Sequence, residues 1–282
     1  MPDAPEPLRA VADRLHLEVH AVSVPRPDEV YDRSMRIVVA GGTGTVGRHV
    51  VRVAVERGHD VVPVSRATGV DAISGLGLDP AVRGADAVVD ALNAPSILKQ
   101  PAVAYFRATT RNLLAAEARA GVAHHLALSV VGIDGLDTAY YAGKLAQERL
   151  VTASTVPFSL LRATRFHEFA EVLLRQTRRG RFAIVPAGLL RPIAASEVAE
   201  RLVQAAEDGP GGRLRDLAGP RDERQADLVR RVALAEGEPV RLIEVRLPGA
   251  YWRAQRSGVL CGGPDADRGT ITFEAWLAAR TA

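Results

Sequence analysis

Tyr140 and Lys144 stand four residues apart in YYAGK, residues 140–144. On a helix, positions i and i+4 share a face, so phenol and ammonium are expected side by side. A free phenol, with a pKa near about 10, is a poor proton donor for turnover at neutral pH. A neighbouring ammonium lowers that pKa by favouring the phenolate. The pair therefore suits proton transfer to a reacting oxygen, with Tyr140 as acid and Lys144 as its tuner. Tyr141 is the rival for this role, because a shift of one residue turns the helix face by about 100°. We read it as a packing or substrate-facing aromatic. Ser129 ends the apolar run before this helix, eleven residues ahead of Tyr140.

A second chemical signal lies at Gly41-Gly42-Thr43-Gly44-Thr45-Val46-Gly47. This G-x-x-G-x-x-G follows the apolar run RIVVA (36–40) and precedes the helical stretch VGRHVVRVAVERG. Gly41 suits a tight turn out of a strand, Gly44 a close backbone approach to a pyrophosphate, and Gly47 a close helix contact. The free amides and dipole at the helix start favour a phosphate there. With a further strand at 60–65, the pattern predicts a dinucleotide site. That strand ends in Val64-Ser65-Arg66, without the carboxylate that bonds a ribose 2′-hydroxyl in NAD-specific sites. Arg66 offers a forked cation for a 2′-phosphate, with Ser65 adding a hydroxyl. The expected cofactor is NADP(H), with NAD(H) possible. A plain surface arginine is the other reading of Arg66. Arg48 is a second phosphate candidate, and Asp71 is expected to line the adenine.

The elements that must position these groups alternate from Met35 onward. Strands are predicted at 36–40, 60–65, 85–92, 125–131 and 158–163, with helices after 47, at 102–120 and at 140–152. This rhythm means βαβ units and a parallel sheet with helices on both faces. The predicted fold is α/β: a Rossmann-type doubly wound parallel sheet with a small C-terminal α+β substrate lobe. After about residue 165 the pattern loosens. Short strands are expected at 182–186, 213–219 and 240–246, and helices at 196–207, 224–236 and 273–280. Residues 257–270 read as a mobile loop. We divide the chain into an N-terminal extension (1–34), a Rossmann domain (35–170) and a substrate-side lobe (171–282) interleaved with it. Residues 7–19 suit a short amphipathic helix, and the extension is expected to be dispensable for cofactor binding.

Composition narrows the function classes. The 282 residues are 47% hydrophobic and 24% charged, an ordinary globular balance. Net charge is +3, and the densest basic cluster is Arg175, Arg178, Arg179 and Arg181. It reads as a solvated helix end, and the footprint is too small to predict specific nucleic-acid binding. Cys261 is the single cysteine, so no disulfide can form within the chain, and zinc-site spacings are absent. No apolar run reaches the roughly 18 residues of a membrane helix. The start MPDAPEPLRA lacks the apolar core of a secretory signal, so a cytoplasmic location is expected.

The stretches MRIVVAGGTGTVGRHVV, VVPVSRATGVD, LALSVVGIDG, YYAGKLAQERLV and LLRATRFHEF resemble the atypical short-chain dehydrogenase/reductases, in their NmrA-like NAD(P)-binding branch. The resemblance runs from Met35 to about Ala170, then more loosely through DLAGP (216–220) and VRLPG (245–249). It implies a Rossmann fold, bound NADP(H) or NAD(H), and a small lobe over the substrate cleft. It implies that Ser129 hydrogen-bonds a substrate carbonyl, although the Ser129–Tyr140 spacing is slightly short for the catalytic pattern. It puts Asn93 on a loop that touches cofactor, beside the plainer reading of a turn asparagine. Lys144 would also hold the nicotinamide ribose. Thr164, Phe166, His167 and Phe169 would face the cleft, Thr164 as a cofactor contact and His167 as a packed residue or a second acid. Tyr251 and Trp252 pack in the core or cap the substrate.

These readings converge on an NADP(H)-dependent oxidoreductase acting on a small carbonyl, enone or quinone. The alternative is a non-catalytic NADP(H)-binding regulator or redox sensor acting through a protein partner. A sugar-nucleotide epimerase or dehydratase fits less well, because the C-terminal lobe looks short for a nucleotide sugar.

Overall fold

The computed structural model describes residues 34–237 and 239–281. The expectations for residues 1–33, including the helix at 7–19, lie outside the described residues. Met35–Ala282 forms one compact unit.

Five apolar runs build the centre: β1 (Arg36–Ala40), β2 (Asp60–Val64), β3 (Ala87–Asp90), β4 (His124–Val130) and β5 (Phe158–Ala163). They lie parallel in the order β2-β1-β3-β4-β5, with Ile37 in register with both Val61 and Ala87. Such strands are apolar on both faces because helices cover both. In β1, Ile37 and Val39 pack on one side, Val38 and Ala40 on the other. Pro63 is tolerated because β2 is an edge strand, where a missing ladder donor costs little.

One face carries α1 (Gly47–Glu56), whose apolar stripe Val50, Val53 and Ala54 joins the core. The opposite face carries α2 (Leu78–Val82), α3 (Lys99–Ala120) and α4 (Ala139–Thr152). Gly121 ends α3 in the left-handed conformation. The chain enters α4 through Ala139, whose φ of 48° is the only positive value at a non-glycine among the described residues. An L side chain is strained there, and the strain lies one residue before Tyr140.

The second half contributes α5 (Phe169–Thr177), β6 (Arg178–Arg179), β7 (Phe182–Pro186), β8 (Leu189–Leu190), α6 (Ala195–Asp208), β9 (Gly212–Arg213), β10 (Leu217–Ala218), β11 (Glu223–Arg224), α7 (Gln225–Ala235), β12 (Arg241–Val245), α8 (Ala250–Ser257), β13 (Asp267–Arg268) and α9 (Phe273–Thr281). Part of it returns to the Rossmann layers: α6 packs beside α1, and β10 and β13 extend the main sheet beyond β5. The rest forms a small lobe, in which β6, β7 and β12 make one sheet and α5, α7 and α9 bury Leu174, Val229 and Phe273.

Two sequence expectations need correction. Residues 257–270 are packed structure: Leu260 and Cys261 are buried, and β13 joins the sheet edge. The loop residues there serve tight turns around buried anchors. The stretch before 182, where the basic cluster reads as a helix end but no helix range is predicted, contains α5, whose apolar residues share a core with the distant α7. Among the described residues, no helix is long and apolar enough to cross a membrane, and no cluster is suited to hold a metal ion.

Candidate active site

The carboxyl ends of β1, β3, β4 and β5 open on one edge of the sheet, around the point where strand order reverses between β1 and β3. Open α/β sheets bind their ligands there. Gly41 leaves β1 with φ of 80°, and a Cβ on it would stand 3.0 Å from the Ala91 carbonyl oxygen. A Cβ on Gly47 would fall 2.1 Å from the Gly41 oxygen, so the loop closes only if this position is glycine. Gly44 donates its amide to Gly41, while Thr43, Gly44 and Thr45 stay exposed on the loop. Among the described residues, the amides of Thr45, Val46 and Gly47 have no acceptor. These are the orphan donors of a helix start, suited to an anion.

At the end of β2, the Ser65 hydroxyl oxygen is buried without a partner. Arg66 is exposed, and its side chain makes no hydrogen bond or ion pair among the described residues. Both are open to a ligand. Asp71 is tied into its own turn: its carboxylate accepts the Ile73 amide at 3.0 Å and the Ser74 hydroxyl at 2.9 Å. Those bonds hold its pKa below the usual range, the Ile73 amide foremost. They orient an exposed carboxylate whose remaining lone pairs face solvent. Arg48 follows the glycine loop and borders a cavity of about 300 Å³ with Glu168 and Trp276.

The Tyr140–Lys144 pair is brought together differently from the expectation. The Tyr140 hydroxyl donates to Asn93 Oδ1 at 2.7 Å. Lys144 is buried and donates to the Leu128 carbonyl at 2.8 Å and to Gln147 Oε1 at 2.9 Å, lying over the Phe106 ring. Gln147 in turn donates to buried Asp90 at 2.8 Å. Burial lowers the lysine pKa to about 8, with Asp90 and Glu148 opposing the shift. Lys144 therefore does not touch the phenol. Burial raises the Tyr140 pKa well above the ordinary range, and the cation that opposes this is Arg165. The helix pitch puts Tyr140 and Lys144 on one side, but the lysine stem runs inward to the β4 carbonyl.

Ser129 is 3% exposed, and its hydroxyl has no partner. It pairs in register with Arg162 of β5, whose side chain reaches Glu148 of α4, so Ser129 faces α4 as well. Asn93 sits at the mouth as an acceptor for Tyr140, a link the sequence did not suggest. Thr164 is corrected as a cofactor contact through its hydroxyl. That hydroxyl donates to the Arg191 carbonyl at 2.6 Å and accepts the Gly219 amide at 3.2 Å, tying β5 to its neighbours. His167 bonds the Ile271 carbonyl at 3.0 Å and packs on Phe273 and Trp276, which leaves it structural rather than a second acid. Phe166 bridges to Ile193 and packs on the core.

Sequence reading missed Arg165, which lies over the Phe169 ring at 4.0 Å and donates to the Tyr141 hydroxyl at 3.4 Å. Tyr141 also accepts from Gln255 at 2.8 Å and stacks on Tyr251, with ring centroids 5.1 Å apart. Trp252 meets Tyr251 edge-on. The signal available in the sequence was a second arginine, three residues after Arg162, beyond the end of a strand.

A family described as NAD(P)H-binding matches residues 41–209, more than half of the chain. The chain belongs to this NAD(P)H-binding family. The match takes in the glycine loop, β2–β5 and α6, and it agrees with the NAD(P)-binding character that the resemblance implied. Solved structures share the fold. A nucleoside-diphosphate-sugar epimerase from Staphylococcus aureus superposes with a TM-score of 0.64 at 17% identity, over 86% of this chain and 99% of that one. UDP-glucose 4-epimerase from Thermus thermophilus, solved with NAD, gives 0.61 at 18% identity, over 87% and 93%. A dTDP-4-dehydrorhamnose reductase from Clostridium acetobutylicum gives 0.63 at 15% identity, over 75% and 84%. A photosystem II assembly factor, Ycf39 of Synechocystis, is 39% identical over 74 residues, 21% of this chain and 23% of that protein. The match spans less than a quarter of that relative's length. At these identities the solved structures speak for the fold, and the family match speaks for binding of NAD(P)H.

Proposed function

We propose that this family member is an NADP(H)-dependent reductase of a small carbonyl, enone or quinone compound. The observation that carries the reading is the unpartnered, buried Ser129 hydroxyl on the sheet face covered by the helix that presents Tyr140. A buried hydroxyl without a partner is costly unless a ligand completes it. The residues present also fit the cofactor. The free amides at 45–47 would hold its pyrophosphate, and the open Ser65 and Arg66 its 2′-phosphate. Asn93 and Lys144 lie along the same edge, where the ribose and nicotinamide would be held.

Bound NADPH supplies the hydride. Ser129 then donates a hydrogen bond to the substrate oxygen, and Tyr140 holds the proton on its Oη until that oxygen gains charge. Burial raises the Tyr140 pKa where the helix spacing predicts a lowered one, so the phenol is a weaker acid and gives up its proton only to the strongly basic oxygen formed as hydride arrives. Asn93 accepts from Tyr140 and aims the hydroxyl. Asp90 and Gln147 fix the lysine ammonium.

A second reading, a non-catalytic NADP(H)-binding regulator acting through a protein partner, is favoured by one feature: Lys144 is spent on Leu128 and Gln147 rather than on Tyr140. Measurement of Kd for NADPH and NADH, followed by NADPH oxidation against a panel of quinones, enones and ketones, separates the two. Turnover of any panel member supports the reductase. Tight NADPH binding with no turnover across the panel supports the regulator.

A further inference from the structure

Two arginines near the end of β5 are treated very differently. Arg162 is buried, and two carboxylates neutralise it: Glu148 at 2.6 Å and Asp134 at 2.5 Å. Arg165, half-buried three residues later, forms no ion pair with any of the described residues. Its neighbours are the Tyr141 hydroxyl at 3.4 Å, the Phe169 face at 4.0 Å and the Tyr251 hydroxyl. Withdrawing a guanidinium from water without a counter-charge is costly. Stacking on Phe169 offsets part of that cost and holds the fork in place, but it supplies no acceptor. The Gln255 Oε1 beside the same tyrosine is likewise buried and without a partner. Arg165 is thus a cation without a carboxylate partner among the described residues, held against Tyr141, whose ring lies 6.3 Å from that of Tyr140 between centroids.

We propose that Arg165 is the anchor for a carboxylate on the substrate, so that the compound reduced is an aromatic or apolar oxo acid. The inference rests on the cleft being the substrate site, and it names the substrate class. The match is one of charge and shape. A guanidinium fork binds a carboxylate through two parallel hydrogen bonds. A single cation among tyrosine hydroxyls, an amide and a phenylalanine ring suits one negative charge, not the two or more of a diphosphate. Tyr251, Phe169 and Tyr140 around it supply apolar faces for the rest of the molecule.

The test uses the full chain loaded with NADPH. Benzoate and benzamide are titrated by calorimetry, and phenylglyoxylate is compared with its methyl ester in NADPH oxidation. Benzoate is expected to bind roughly ten- to a hundred-fold more tightly than benzamide, the range of one charge-assisted contact. The acid should exceed the ester in kcat/KM by a similar factor. In Arg165→Gln both ratios should fall to near one, with Kd for NADPH unchanged as the check on folding. Arg165→Lys keeps the charge without the fork and should retain only part of each preference. Benzoate binding that depends on Arg165, with neither phenylglyoxylate compound turned over, leaves the anchor standing and overturns reduction of an oxo acid, the quinone, enone and ketone panel then deciding the reductase. Equal turnover of acid and ester, or benzoate preference surviving in Arg165→Gln, overturns the anchor and leaves the reductase intact. Tighter binding of UDP than of benzoate overturns it in favour of a nucleotide.

Discussion

Replacing Tyr140 by Phe separates chemistry from folding, because the hydroxyl makes one hydrogen bond and the ring makes the rest. That bond goes to Asn93, an exposed side chain that water can satisfy once the hydroxyl is gone. A typical intramolecular hydrogen bond contributes about 0.5–1.5 kcal/mol, and an exposed acceptor puts this one at the low end. The ring contacts survive: Phe106 stands edge-on at 5.6 Å and Tyr141 at 6.3 Å between centroids. For a unit of this size about 1 kcal/mol moves Tm by roughly 2–4 °C, so the expected shift is a few degrees at most. General acid catalysis contributes about a hundred- to ten-thousand-fold. At about 1.4 kcal/mol per decade, Tyr140→Phe should cost about 2.7–5.4 kcal/mol in the barrier. The assay is steady-state NADPH oxidation on whichever ketone or enone the panel identifies, beside a calorimetric Kd for NADPH and a melting curve. The expected result is kcat down by at least a hundred-fold, Kd unchanged and Tm nearly unchanged. Full activity of Tyr140→Phe on a ketone refutes the assignment. A quinone can take the hydride on its ring and its proton from solvent, so little loss is expected on that class.

Arg66→Ala should weaken NADPH binding by about ten- to a hundred-fold and leave NADH nearly unchanged, since the lost contact is to a charged 2′-phosphate; equal loss for both cofactors in a binding titration refutes the role. His124 is buried with Nε2 2.8 Å from the Ser159 hydroxyl, and burial lowers its pKa to about 4. The unfolded chain takes up that proton near pH 6.5, so stability should fall between about pH 6.5 and 4 by about 3 kcal/mol. Denaturant melts of wild type and His124→Gln should then converge as pH drops through this window, and a constant difference between them counts against it. Ala139→Gly should leave Tm unchanged or raise it, despite lying in a helical first turn, because the native φ is positive; a drop of several degrees refutes strain at that residue.

Local chemistry determined much of this protein. The apolar runs at 36–40, 87–90 and 124–130 are strands because no other element buries such short stretches on both faces. The glycines at 41, 44 and 47 mark the phosphate loop because helix start and strand end leave no room for a Cβ at 47. The exposed arginine at the end of β2 was legible too, because Ser65 and Arg66 follow directly after a strand. Side-chain pairing was not legible. Tyr140 and Lys144 have helix spacing, yet the lysine turns toward a β4 carbonyl that only the packing of α4 on the sheet brings within reach. Thr164 has a hydroxyl suited to a cofactor, but the Arg191 carbonyl and the Gly219 amide engage it. Arg165 gains its role only from the surroundings that tertiary structure assembles, since Tyr141, Phe169, Tyr251 and Gln255 come from three separate helices or their flanks. Sequence periodicity reports how a residue faces its own element. Whether a charge is paired or left open depends on which distant side chains arrive beside it, and that the tertiary structure alone decided.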